Sequence, residues 1–302
     1  MQHIIQLYLN QPQYLFCYDE CPGIQAIMPL CPDLPVAENV PNYRDFLYTR
    51  NGTTDLMAFL NVKNGNVFGQ CNDNHNRHTL ISLFKQHVTR QPADAQLHYI
   101  MDNLNTHFHN DFCKVVAQLS NVKYSPLEKG IQRREWLGKN DKRIVIHFTP
   151  FHGSWLNMVE IWFGILNQKC IKQGAFNSVE ILQNTLLDFI DTWNRYFAHP
   201  FTWKYKGDGL YEKAISRFNK LLLLETAQMD ISFLNKQLLL MANIARNYQT
   251  ILQTKHWAQL RELIMLKKEY LQNVIINSPK ERKKKTTWQS LDNLKKIMNC
   301  QF

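Results

Sequence analysis

Three acidic residues of this 302-residue sequence stand where their side chains could meet: Asp19, Asp102 and Glu160. Asp19 closes a short aromatic and apolar run, Tyr14 to Tyr18, and Asp102 closes another, Leu97 to Met101. Such runs read as buried strands, and an acid at the end of each projects from the sheet's edge. Glu160 is expected two turns into a helix that follows the breaks at Pro150 and Gly153 and that Ser154 can cap. Magnesium takes oxygen ligands and few carboxylates. Three carboxylates can hold two such ions about 4 Å apart, one activating an attacking water or hydroxyl and the other stabilising the leaving oxygen of a phosphoryl displacement. Without cations they would repel phosphate and raise one another's pKa values. The same positions equally suit two acids that cap strands and a glutamate facing solvent, and residue order alone leaves both open.

The elements needed to position these acids are readable along the first two thirds of the chain. Phe46 to Arg50 and Leu56 to Val62 look like strands flanking an Asn51-Gly52 hairpin turn, and a second turn at 63–66 leads into Val67 to Cys71. Ile24 to Met28 is a weaker strand candidate. Leu80, Leu83, Phe84 and Val88 then repeat at helical spacing, and helices are also expected over 109–119 and from Ser178 to Phe197. Arg143 to Phe148 is a β-branched strand, and the polar stretch 120–142 before it reads as an insertion or long loop. Antiparallel strands followed by strands separated by helices predict an α/β fold of the ribonuclease H-like type, with a mixed sheet flanked by helices. This domain is expected to cover 1–206.

Residues 207–302 read as an α-helical extension. Leu210 to Leu224, Ile231 to Leu252, Trp257 to Val274 and Trp288 to Met298 are helical patterns. A heptad-like seam (Ile231, Leu234, Leu238, Met241, Ala245, Tyr248, Leu252) suits intramolecular packing, with a homodimer as the alternative. The charge is divided along the same line. Residues 1–203 hold 17 basic and 17 acidic side chains, whereas 204–302 hold 18 and 8, so the whole net charge of +10 lies in the last third. A basic appendage on a neutral domain points to nucleic acid first and an acidic membrane surface second. Lys280, Arg282, Lys283, Lys284 and Lys285 form its densest cluster and are expected to grip DNA phosphates rather than read bases. Trp257 and Trp288 are expected to be buried rather than stacked on bases.

No apolar run reaches the length of a membrane span, and the first ten residues lack the marks of a signal peptide. Seven scattered cysteines suit a reducing cytoplasm better than a disulfide framework. The pairs His107 and His109, His75 and His78, and Cys17 and Cys21 bring zinc to mind, but none joins a second pair at the usual four-ligand spacing.

The stretch His147-Phe-Thr-Pro-Phe-His-Gly-Ser-Trp-Leu-Asn-Met-Val-Glu160-Ile-Trp-Phe163 resembles the signature of mariner-type insertion-sequence transposases of the DDE superfamily. Met101-Asp-Asn-Leu-Asn-Thr-His107 is similar to that family's second-aspartate motif, Phe16-Cys-Tyr-Asp-Glu-Cys-Pro-Gly23 to its first, and Tyr48-Thr-Arg-Asn-Gly-Thr53 to a further one. The resemblance covers roughly 13–206. It implies that Asp19, Asp102 and Glu160 are catalytic and bind two magnesium or manganese ions. It implies cleavage of DNA at transposon ends and attack of the new 3′-hydroxyl on target DNA, in a cytoplasmic, nucleoid-associated setting of the bacterial type.

Around the triad, Trp155, Leu156, Val159, Trp162 and Phe163 would form an apolar helix face, with Asn157 in reach of Glu160 or a metal-bound water. Asn103 and His107 are further candidates for contact with the site or DNA, with a structural role the favoured reading for each. Two departures stand out. Asp102 and Glu160 are separated by 57 residues, more than is usual in the family, with 120–142 as the excess. The family's helix-turn-helix DNA-binding part is also expected outside this chain, fused or separate. A truncated transposon product that binds DNA without cutting it is the alternative reading.

Overall fold

The computed structural model describes residues 1–31, 47–150, 153–205, 209–223, 229–247 and 254–299. Contacts divide the chain into two compact units, Met1–Lys204 and Tyr205–Phe302.

The first unit is built on one mixed sheet. Strands β1 (Leu15–Pro29), β2 (Tyr48–Asn61), β3 (Val67–Asn72), β4 (Leu97–Met101) and β5 (Ile144–Phe148) lie in the order β3-β2-β1-β4-β5. The β1–β2 and β2–β3 pairs are antiparallel, and β4 and β5 join parallel to β1. This is the ribonuclease H-like arrangement that the order of elements predicts.

Alternation along the strands separates two buried faces. Phe16, Tyr18, Tyr99, Met101, Ile144 and Ile146 share a core with Leu80, Leu83 and Phe84 of α2 (Arg77–Thr89) and Phe112 and Val116 of α3 (Asn110–Leu119). Leu15, Cys17, Ile100 and Val145 point the other way and are equally buried. On that face sit α1 (Gln2–Leu9), through Ile4, Ile5 and Tyr8, and α5 (Val159–Leu166), through Val159, Trp162 and Leu166. Helix α6 (Val179–Thr192) is capped by the Ser178 hydroxyl, which accepts from Ile181 N–H at 3.2 Å.

Several local expectations are corrected. Helix α1 is not among the predicted elements, because eight residues give little periodicity. Asp19 lies within β1 rather than at its end, since β1 runs on to Pro29 against β2 and takes in Ile24 to Met28. Asn51-Gly52 is no hairpin turn but part of the continuous β2. Gly52 has φ +109°, and a Cβ there would stand 2.6 Å from Val179 Cγ2, so close packing against α6 demands this glycine. Phe46 lies outside the described residues.

The supposed loop 120–142 contains α4 (Gly130–Leu137). Its hydrophobic periodicity is weak because anchoring is polar: Arg133 donates to the carbonyls of Phe108, Leu127 and Glu128 at 2.7–2.9 Å.

The second unit has its own core, formed by α7 (Leu210–Leu223), α8 (Ile231–Asn247), α9 (Lys255–Leu266), α10 (Lys268–Ile276) and α11 (Glu281–Ile297). Ile231, Leu234, Leu238, Met241 and Ala245 of the seam are buried in this core, and Tyr248 and Leu252 lie outside the described residues. The single helix expected over 257–274 is two, interrupted at Lys267. Trp257 is fully buried and Trp288 packs against the same core. No described helix is long and apolar enough to cross a membrane, and the described cysteines are unbridged.

Candidate active site

The register between β1 and β4 puts two acids side by side. Cys17 pairs with Ile100 in parallel, the last pair before the two strands separate. Asp19 and Asp102 each follow two residues later, so they arrive at the same level and on the same face.

Glu160 comes from α5, the helix packed on the sheet face to which Cys17 and Ile100 point. The segment before it does not form the long helix expected from Ser154. Ser154–Leu156 is a short 3₁₀ turn, Asn157 is extended, and α5 begins only at Val159, which puts Glu160 in its first turn. Tyr8 of α1 fixes that irregular segment: its hydroxyl donates to Leu156 O at 2.6 Å and accepts from Met158 N–H at 3.3 Å. Leu156, Val159, Trp162 and Phe163 are buried as the apolar face requires, but Trp155 is half exposed and stacks toward Trp203 instead. Phe151 and His152 lie outside the described residues.

The electrostatics differ sharply between the acids. Burial, followed by the negative charges of Glu20, Asp102 and Glu160, pushes the Asp19 carboxyl up to about 7, against a weaker opposing bond from Glu20 N–H. Burial and then the Asp102 charge raise Glu160. For Asp102 burial acts in the same upward direction, but bonding to His107 and to Leu104 N–H outweighs it and holds the carboxyl below its usual range. Asn157 is fully buried and bonds not to Glu160 but to Asp19: its Nδ2 donates to Asp19 Oδ2 at 3.1 Å and to Tyr18 O at 2.8 Å. Its Oδ1 is buried and, among the described residues, accepts no hydrogen bond.

His107 has a larger part than its sequence position suggests. The ring is wholly buried between two carboxylates, with Nδ1 2.7 Å from Asp102 Oδ1 and Nε2 2.9 Å from Glu20 Oε1. Burial alone would lower its pKa, but these two partners overcome that and lift it to about 10, so the ring is an internal cation donating from both nitrogens. Glu20, which the sequence reading passes over, also accepts from Tyr18 Oη at 3.0 Å. Its one sequence signal is that it directly follows Asp19. Asn103 lies beside the site but is used structurally, Nδ2 donating to Thr149 O and Oδ1 accepting from Arg134 at 3.2 Å.

The donor set suits a hard divalent cation. Asp19 and Glu160 carry carboxylates that no protein cation neutralises among the described residues, and the free amide oxygen of Asn157 adjoins Asp19. No three described His, Cys, Asp or Glu side chains form a ready-made metal cluster. Of the histidine and cysteine pairs, His75 is bonded to Asp55 at 2.7 Å and His107 to Asp102 and Glu20.

Residues 16–183, more than half of the chain, match the family described as DDE superfamily endonuclease, a span that contains all three acids. The chain belongs to this family. Among solved structures, this chain is similar to the Mos1 transposase paired-end complex with left transposon end, at 13% identity, 65% of this chain, 60% of that chain and a TM-score of 0.29. It is also similar to the Mos1 mariner paired-end complexes with Mn (13%, 65%, 62%, TM-score 0.29) and with Mg (15%, 65%, 60%, TM-score 0.29). The chain spans about 60% of the length of these relatives. No curated protein matches it.

In the second unit, the cluster expected to bind DNA opens α11. Lys280 is bonded to Asp230 at 2.8 Å and Lys284 to Glu281 at 2.6 Å. Arg282, Lys283 and Lys285 are exposed.

Proposed function

We propose that this chain is the catalytic part of a mariner-type DNA transposase, cleaving phosphodiesters at transposon ends and joining the new 3′-hydroxyl to target DNA. The observation that carries the reading is the in-step exit of Asp19 and Asp102 from adjacent parallel strands, with Glu160 charge-coupled to both. Asp19, Asp102 and Glu160 are the residues that would hold two magnesium or manganese ions. When bound, such ions activate the attacking oxygen and stabilise the leaving one. Because the three acids form no finished cluster among the described residues, their side chains must close in as a cation binds.

The surrounding residues prepare that step. His107 keeps Asp102 ionised and oriented, as partners of metal-ligating carboxylates do. Asn157 directs one oxygen of Asp19 and leaves its own carbonyl oxygen available. DNA is the proposed partner, with end recognition supplied by a helix-turn-helix part, fused or separate, and with a homodimer as the working assembly.

The test is nicking of a transposon-end duplex in magnesium, manganese or EDTA. Cleavage should require a divalent ion, and Asp19→Asn, Asp102→Ala and Glu160→Gln should each reduce it below detection while leaving DNA binding intact. A folded wild-type chain that binds DNA but never nicks it in either metal would support the non-catalytic reading instead.

A further inference from the structure

We propose that the groove between α7 and the amino-terminal end of α9 is a second nucleic-acid site, binding the phosphate backbone of duplex DNA through Lys213, Arg217 and Lys220. These residues recur at i, i+4 and i+7, so they share one face of α7. All three are exposed, while Ile215, Phe218 and Leu222 bury the opposite face in the unit's core. None of them takes part in an ion pair among the described residues. The Lys280–Lys285 run, by contrast, has spent two of its five cations on Asp230 and Glu281.

The groove has the shape and chemistry for the task. It encloses about 480 Å³ and is lined by Glu212, Lys213, Ser216, Arg217, Lys220 and His256. Helix α9 begins beside it: the Thr254 hydroxyl caps Trp257 N–H at 3.2 Å, and Asn219 Nδ2 of α7 donates to His256 O at 3.3 Å. The first backbone N–H groups of α9 therefore add the positive end of a helix dipole to the three side chains. Glu212 is the one acid in the lining, and its Oε2 is shielded from solvent.

From Lys213 to Lys220 the cations span about 10 Å along the helix. A DNA strand presents a phosphate every ~3.4 Å of its axis, so the stripe faces about three. A row of cations fits a repeating polyanion better than a lone phosphate. The lining carries no apolar side chain to enter a lipid surface, which an interfacial membrane site needs. The choice of DNA rests on the transposase reading, but the groove itself does not.

Binding of the 302-residue chain to a random-sequence duplex, followed by fluorescence anisotropy in EDTA over 50–200 mM salt, tests the proposal. Neutralising all three residues (Lys213→Gln, Arg217→Gln, Lys220→Gln) should make the salt slope about 2.7 shallower, so the affinity lost across that range becomes about 40-fold smaller. In an Arg282→Gln, Lys283→Gln, Lys285→Gln background the α7 contribution should remain, so adding the three α7 substitutions there should again make the slope about 2.7 shallower. If the triple variant melts early, Arg217→Gln alone should still show a change of about 0.9.

A slope left unchanged by the α7 substitutions, alone or in that background, overturns the proposal. So does loss of binding to anionic phosphatidylserine vesicles with DNA binding untouched. Nicking in magnesium is read separately from binding in EDTA. Persistent nicking with α7-independent binding would therefore remove only this inference, and α7-dependent binding without nicking would remove only the catalytic one.

Discussion

His107 is an imidazolium locked between two carboxylates, with its ring inaccessible to water and the Glu20 side chain almost so. Removing one partner of a buried pair strands the other charge, which costs about 3 kcal/mol or more. His107→Gln should lower unfolding stability by about that amount in urea titration, and Glu20→Gln should restore part of it in the double variant. Additive losses would show that the two residues are not coupled. Asn157→Ala should spare stability more but reduce magnesium-dependent cleavage about 10- to 100-fold, as loss of a ligand's hydrogen-bond partner does. Asn157→Asp would add a fourth negative charge beside Asp19. Its effect should be greatest at low metal concentration, visible as a shift in the magnesium dependence of nicking.

At the scale of elements, two buried histidines on different strands and helices give the fold a pH dependence. Burial, then the charge of Arg90, drives His87 of α2 down to about 3 while its Nδ1 shares a 2.9 Å bond with Tyr99 Oη. His147 of β5 is likewise lowered to about 3, by burial and then by His3, His98 and Lys142. Both rings are neutral when folded and titrate near 6.5 when unfolded. Their contribution is therefore complete above pH 6.5 and is lost as pH falls toward 3. Between those limits they should steepen the decline by up to about 2.7 kcal/mol per pH unit, and His87→Gln should remove about half of that increment in urea midpoints measured against pH.

Gly65 is a second element-scale test. Its φ is +77°, and a Cβ would fall 2.0 Å from His199 O, where Trp193 donates to Gly65 O and Asn194 to Val67 O at the end of α6. Gly65→Ala should cost about 2 kcal/mol or more, and Gly65→Asn should be no better, because the obstacle is neighbouring backbone as well as φ. Thermal melts decide this.

Long, periodic or β-branched elements were the legible ones: α2, β4, β5 and α6 stand close to where their residues predict. Hidden elements depend on polar or distant contacts. Arg133's carbonyl bonds make α4, and Tyr8 draws the chain before α5 into an irregular turn. The motif residues around Asp19, Asp102 and Glu160 point to the candidate site, whereas Glu20 and the bridging role of His107 become visible only once β1 lies beside 102–107.

At the level of the whole molecule, each unit has its own buried core, one centred on Phe16, Tyr99 and Phe112 and the other on Phe218, Leu238 and Trp257. Separate cores predict separate cooperative folding. Fragments 1–204 and 205–302 should each unfold with a single sharp transition by circular dichroism. A non-cooperative melt of the second fragment would show that it needs the first. The charge imbalance of the sequence follows the same division, so salt-sensitive affinity for nucleic acid should travel with 205–302 and metal-dependent chemistry with 1–204.

The pairing of Cys17 with Ile100 also sets rules for anyone who splices this chain. A peptide tag at the exposed Ser125-Pro126 connection lies outside every strand and should leave the carboxylates facing each other. A single residue inserted between Ile100 and Asp102 would instead turn the aspartate to the opposite side of the sheet, disarming the protein without unfolding it.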